Sequence, residues 1–101
     1  METIINIGLN TNKEGKVNKD RLLKDISSYL TTFKTKIRRS NTERTLIVST
    51  KEFISNFQIQ KLCDDNDQDC IAVMRDDKGA LVYGSHPLND WGEFNEKYFI
   101  R

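Results

Sequence analysis

This sequence predicts an α+β domain built on an antiparallel sheet, and three observations carry that expectation. Short β-branched runs alternate with two longer amphipathic stretches, the segments follow the order β-α-β-β-α-β-β, and 101 residues suffice for one hydrophobic core but not two. The first six segments have the split βαβ, or ferredoxin-like, order, which places both helices on one face of the sheet. The seventh segment extends the sheet by one edge strand.

Residues 2–9, ETIINIGL, form the first strand. Ile4, Ile5 and Ile7 are β-branched, and Gly8 ends the run. Residues 10–17 are a loop rich in turn formers, including Asn10, Asn12 and Gly15. The first helix begins at Asn18, whose side chain can accept from an otherwise unpaired backbone N–H. Val17 and Leu22 stand at the positions of a hydrophobic staple. Leu22, Leu23, Ile26, Tyr29, Leu30 and Phe33 then recur at helical spacing, so this helix is expected to end near Lys34.

Residues 35–39, TKIRR, are a short basic edge strand, residues 40–43 a turn, and residues 44–48, RTLIV, a buried returning strand. The second helix is expected from Ser49 to about Asp64. Ser49 and Glu52 match the S-x-x-E capping box, and Val48 with Phe53 match the staple. Its stripe is imperfect, because Phe53, Ile54 and Phe57 share a face that Ile59 and Leu62 leave. An acidic loop follows, then a strand over 69–75 (DCIAVMR). Asp76-Asp77-Lys78-Gly79 reads as a hairpin turn with Gly79 at positive φ, and residues 80–84 form the last strand. The tail from Ser85 carries the chain's only Pro, His and Trp, and its aromatics suit a cover over an edge or end of the core.

Sixteen Lys and Arg oppose fifteen Asp and Glu, so the net charge of +1 argues against nucleic-acid binding by bulk charge and against an acidic decoy. No apolar run approaches the roughly 18 residues of a membrane span. Met1 to Leu9 has neither the basic nor the long apolar region of a signal peptide. A cytoplasmic location without membrane contact is expected. Cys63 and Cys70 flank the acidic loop at a spacing a disulfide could bridge, but one pair makes no disulfide scaffold. They read as reduced, partly buried thiols.

The strongest binding signal is the basic group Lys34, Lys36, Arg38, Arg39 and Arg44. On a strand, Lys36 and Arg38 point to one face and Ile37 and Arg39 to the other. With Arg44 across the hairpin, they suit a phosphate backbone or an acidic protein surface. The plainer reading is edge protection by charge. Base stacking of the kind RNA-recognition sheets use is disfavoured, because neither presumptive central strand carries an aromatic.

Asp64, Asp65, Asp67 and Asp69 suggest a calcium loop. However, Cys70 stands where an EF-hand needs Gly and Asp76 where it needs Glu, so a solvated loop is expected. Two Cys and one His are too few for a closed zinc site. His86 has no companion that would make it a general base, and Gly8 and Gly15 match no phosphate-binding loop. No cofactor is expected. In the tail, Trp91 and Phe94 read as core cover or, if exposed, as anchors of a protein interface.

Gln68-Asp69-Cys70-Ile71-Ala72-Val73, a Gly84 after a hairpin, Trp91-Gly92-Glu93-Phe94-Asn95 and the opening Asn6-Ile7-Gly8-Leu9-Asn10 resemble small proteins of unassigned activity carried by phages and mobile elements. The resemblance brings no catalytic motif and no functional residue. It implies a setting, since such accessory proteins often act on host machinery, including defence systems.

The expected function is a non-enzymatic binding module that blocks a host protein or nucleoprotein, for example a defence complex. Lys36, Arg38, Arg39 and Arg44 would make contact, with Trp91 and Phe94 as anchors. Two alternatives stand beside it. One is a small nucleic-acid- or nucleotide-acting hydrolase using His86, or Asp65, Asp67 and Asp69 with a metal. The other is a homodimeric nucleic-acid binder joined through sheet edges.

Overall fold

The computed structural model describes residues 2–9, 18–39 and 44–94. Val17 of the expected staple, the loop over 10–17, the turn over 40–43, and Tyr98, Phe99 and Ile100 lie outside the described residues. Seven elements follow in order: β1 (Thr3–Gly8), α1 (Lys19–Tyr29), β2 (Lys34–Arg39), β3 (Arg44–Thr50), α2 (Asn56–Asp65), β4 (Cys70–Arg75) and β5 (Lys78–Tyr83). The five strands make one sheet in the order β2-β3-β1-β4-β5, with every neighbouring pair antiparallel.

Strand alternation sorts the sheet into two faces. Ile5 stands opposite Val48 and Val73, Ile7 opposite Leu46, and Ile71 opposite Val82. These residues join Leu22 and Ile26 of α1 and Ile59, Leu62 and Cys63 of α2 in one buried cluster. Fully burying each such aliphatic side chain stabilises the fold by about 1.5–3 kcal/mol. Asn66, itself buried, ties the helices together by donating from Nδ2 to Asp25 at 3.0 Å and to the Leu62 carbonyl at 3.1 Å.

Asn18 caps α1 as its sequence predicts, its Oδ1 accepting from the Arg21 N–H at 3.1 Å. The helix ends at Tyr29, before the expected Lys34, and Leu30 is already extended. The reason lies elsewhere in the chain. The Glu52 carboxylate accepts from the Thr31 N–H and hydroxyl, at 3.2 and 2.8 Å, and from the Thr32 N–H. Those backbone donors turn toward Glu52 instead of continuing the helical ladder. The same bonds, above all the one from the Thr32 N–H, hold the Glu52 carboxyl below its ordinary pKa.

The expected start of the second helix, with Ser49 as its cap, is corrected by six residues. Ser49 and Thr50 continue β3 and pair with Ile4 and Thr3 of β1, so a helix from Ser49 would break sheet pairs. The cap is Ser55, and the box is closed by Gln58. Ser55 Oγ accepts from the Gln58 N–H at 3.1 Å, and Gln58 Oε1 accepts from the Ser55 N–H at 2.9 Å. Ile54 and Ile59 then occupy the staple positions and are fully buried. Counted from this start, Ile59, Leu62 and Cys63 form a regular buried stripe.

The β4–β5 turn is also tighter than expected. Arg75 pairs with Lys78, leaving Asp76 and Asp77 as the two turn residues, with φ of 49° and 64°. Both fall in the left-handed region that such two-residue hairpins require. Gly79 therefore lies inside β5 and not in the turn.

Candidate interaction surface

The face turned away from the helices carries only part of the sequence-predicted set, and not in one place. Lys34, Lys36 and Arg38 form a row on β2, beside Ser49, Ile47 and Thr45 of β3. Alternate residues on one strand are about 7 Å apart. All three cations are exposed, and none has a hydrogen bond or ion pair among the described residues. Arg39 points to the opposite face, where its partner in register is Arg44. The five basic residues thus divide between the two faces of the hairpin, and the expected single patch of Lys36, Arg38, Arg39 and Arg44 is not formed.

Trp91 and Phe94 lie at the other edge of the sheet. The segment from Ser85 folds back over β5 and is held by two carboxylates, Asp64 of the last turn of α2 and Asp69 of the loop before β4. Asp64 accepts from the Ser85 N–H at 2.8 Å and its hydroxyl at 2.7 Å. Asp69 accepts from the Leu88 N–H at 2.9 Å, Asn89 Nδ2 at 3.2 Å and the Trp91 indole N–H at 3.1 Å. The Tyr83 hydroxyl accepts from the Trp91 N–H and donates to the Gly92 carbonyl, both at 2.9 Å. The loop expected to be merely solvated is therefore partly a latch, and its sequence signal was the pairing of acids with a polar, aromatic tail.

Phe94 reaches the sheet above Gly79, where a Cβ would stand 2.2 Å from its ring. It serves as cover and is half-buried, while Trp91 remains 45 % exposed beside its bond to Asp69. Four strand spacings separate β2 from β5, about 19 Å. The basic row and the aromatic tail are thus two separate surfaces. His86 is exposed within the folded-back segment. Among the described residues, no three His, Cys, Asp or Glu side chains gather as a metal ion would need, and no helix is long and apolar enough to cross a membrane.

Both cysteines are free thiols. Cys63 is buried and its Sγ–H donates to the Val82 carbonyl at 3.5 Å. Burial first, then the nearby Cys70 and acidic side chains, push its pKa up to about 12. Burial and Asp69 push Cys70 up to about 11. Neither is an activated nucleophile.

Phe53 and Phe57, which sequence reasoning placed at the staple and stripe of the second helix, are 79 % and 69 % exposed. The Ser55-x-x-Gln58 box is the signal that would have found them, since a helix beginning there leaves Phe53 ahead of the helix and sets Phe57 off its Ile59–Leu62–Cys63 stripe. Arg75 fixes this corner, its guanidinium donating to Asn56 Oδ1 at 2.8 Å and to the Ile54 carbonyl at 2.7 Å.

No protein-family model, curated protein or solved structure matches the chain.

Proposed function

We propose that the chain is a non-enzymatic binding module that occupies an acidic surface of a partner protein or nucleoprotein. The observation that carries this reading is the row Lys34, Lys36 and Arg38 on the edge strand, exposed and without partners among the described residues. Three cations at a regular spacing on a strand already ordered by the sheet match an anionic surface without any backbone to order, the cost falling on the three side chains. Blocking needs area and complementarity, which such a scaffold supplies without any reacting group. The strand order supports a ferredoxin-like architecture with β5 added beyond β4. The setting implied by the resemblance, an accessory protein of a phage or mobile element acting on a host defence complex, is one where such blocking suffices.

The hydrolase reading has less support, because Asp69 already accepts three donors from the folded-back segment. The test is affinity capture from host lysate, with and without nuclease, by the wild-type chain and by Lys36→Glu/Arg38→Glu. A stoichiometric partner that survives nuclease and is lost with the variant supports the reading. A partner retained by the variant refutes the role of the basic row. A partner lost on nuclease treatment moves the reading to nucleic-acid phosphate contact, with the steep salt dependence that entails.

A further inference from the structure

The edge strand β2 has the form of a receptor for one more strand, and this inference rests on the binding-module reading above. β2 is six residues long and pairs only with β3 among the described residues, so its outer backbone N–H and C=O groups have no neighbouring strand. Its side chains alternate, with Lys34, Lys36 and Arg38 on the open face and Thr35, Ile37 and Arg39 on the helix face. The strand carries four cations and no acid. Charged edges usually serve to prevent pairing, but a charge repels only its own sign.

A second copy of the chain is a poor occupant. Antiparallel pairing of two β2 strands that keeps the faces matched is centred on Lys36 or on Ile37. The first register sets Lys36 against Lys36 and Lys34 against Arg38, and the second sets Lys36 against Arg38. Like charges directly opposite destabilise a strand pair. A nucleic acid can meet the cations, but it leaves the alternating backbone donors and acceptors, and the part of Ile37 not packed on the core, without matching partners.

An acidic extended peptide meets all three features. It shares the rise of about 3.3–3.4 Å per residue, so carboxylates at every second position stand opposite Lys34, Lys36 and Arg38. The residues between them lie beside Thr35 and Ile37, where β-branched side chains pack. We propose that β2 captures an extended segment of a partner protein by β-strand addition, with alternate Asp or Glu residues on the Lys34–Lys36–Arg38 row and apolar β-branched residues on the Thr35–Ile37 side. The main-chain bonds then supply affinity, and the cations choose the sequence and its register.

The test titrates a synthetic peptide of alternating glutamate and valine into isotope-labelled protein and follows the amide resonances. The expected result is saturable shifts along Lys34–Arg39 and the adjoining β3, with β5 unaffected. Binding should weaken at least about tenfold for Lys34→Glu/Lys36→Glu/Arg38→Glu, which removes three cross-strand charge pairs. A similar loss is expected when alternate peptide amides are N-methylated, which spares the charge and removes edge hydrogen bonds. The three substituted side chains are exposed, and an unchanged melting temperature checks the fold. Lys36→Gln, with a smaller loss, serves as the milder variant. Equal binding of the N-methylated peptide overturns strand addition. So does a peptide that leaves β2 unshifted while an oligothymidine of equal charge shifts it, although the binding-module reading then survives. If neither polyanion shifts β2, and the charge-reversed chain captures the same partner as the wild type, both the strand proposal and the basic-row reading fall.

Discussion

Replacing Gly79 by alanine should displace the Phe94 ring from the sheet. The added Cβ would stand 2.2, 2.3 and 2.6 Å from three ring carbons, all inside any tolerable contact, so the ring must move. Phe94 is only partly exposed. Most of a phenylalanine of about 200 Å² is covered here, and a displacement that uncovers about 100 Å² of it costs about 2.5 kcal/mol at ~25 cal/mol per Å². Replacing a strand glycine returns about 0.5–1 kcal/mol, for a net destabilisation of about 1.5–2 kcal/mol. In a Phe94→Ala background the three ring carbons nearest the methyl are gone, and the same substitution should be neutral or stabilise by up to about 1 kcal/mol. The assay is a double-mutant cycle by urea unfolding, where a coupling near 2 kcal/mol stands well clear of the roughly 0.5 kcal/mol scatter of independent sites. Equal effects of Gly79→Ala in both backgrounds would refute the packing of Phe94 on β5.

Three further outcomes follow from the helix caps, the Glu52 bonds and the thiols. Ser55→Ala should cost about 1 kcal/mol and Ser49→Ala much less, because only Ser55 caps a helix; chemical unfolding of the two variants checks this, and the reverse ranking would restore the earlier helix start. Glu52 has a lowered pKa in the folded state, so its contribution is fully present above its unfolded value, roughly pH 4.3, and is lost as pH falls through the folded value. Melting temperature followed from pH 6 downward should show an acid limb that Glu52→Gln flattens, and identical limbs would count against the Glu52 bonds. Cys63 and Cys70, pushed to about 12 and about 11, hold about one thiolate in ten thousand and one in a thousand at pH 8. A thiol reagent should therefore label the native chain far more slowly than the urea-unfolded chain, and rapid labelling of both sites would contradict the burial.

The legible parts of the fold were those in which local chemistry and tertiary structure agree. Asn18 caps α1 because the polar residue immediately precedes a helical stripe, and among the described residues no distant group takes its side chain. The alternation of β2 was legible for the same reason, since Lys36 and Arg38 share a face wherever the strand lies. The second helix was misplaced because two capping boxes stand six residues apart, Ser49 with Glu52 and Ser55 with Gln58. Their local chemistry is nearly equivalent. The choice depends on Ser49 and Thr50 pairing with β1 and on the Glu52 carboxylate being taken by Thr31 and Thr32, and these partners are remote in sequence.

The candidate surface divides along the same line. Residue types and period placed Lys36 and Arg38 on one face of a charged strand, because the twofold repeat of a strand is a property of the backbone alone, and Lys34 joins them because α1 stops at Tyr29 and β2 begins at Lys34. That Arg44 pairs with Arg39 on the side away from the row, and that Trp91 and Phe94 lie four strands distant, were decided by strand order and register. Asp64 and Asp69 became a latch, and Phe53 and Phe57 became exposed, through contacts and exclusions that only the assembled sheet and helices create. Sequence by itself determined the order of the elements and the faces of those whose signals are local, α1 and β2 among them, which arise from bonds and periods within a few residues. Tertiary structure decided which faces meet, because that depends on the free energy of burying one element against another far along the chain.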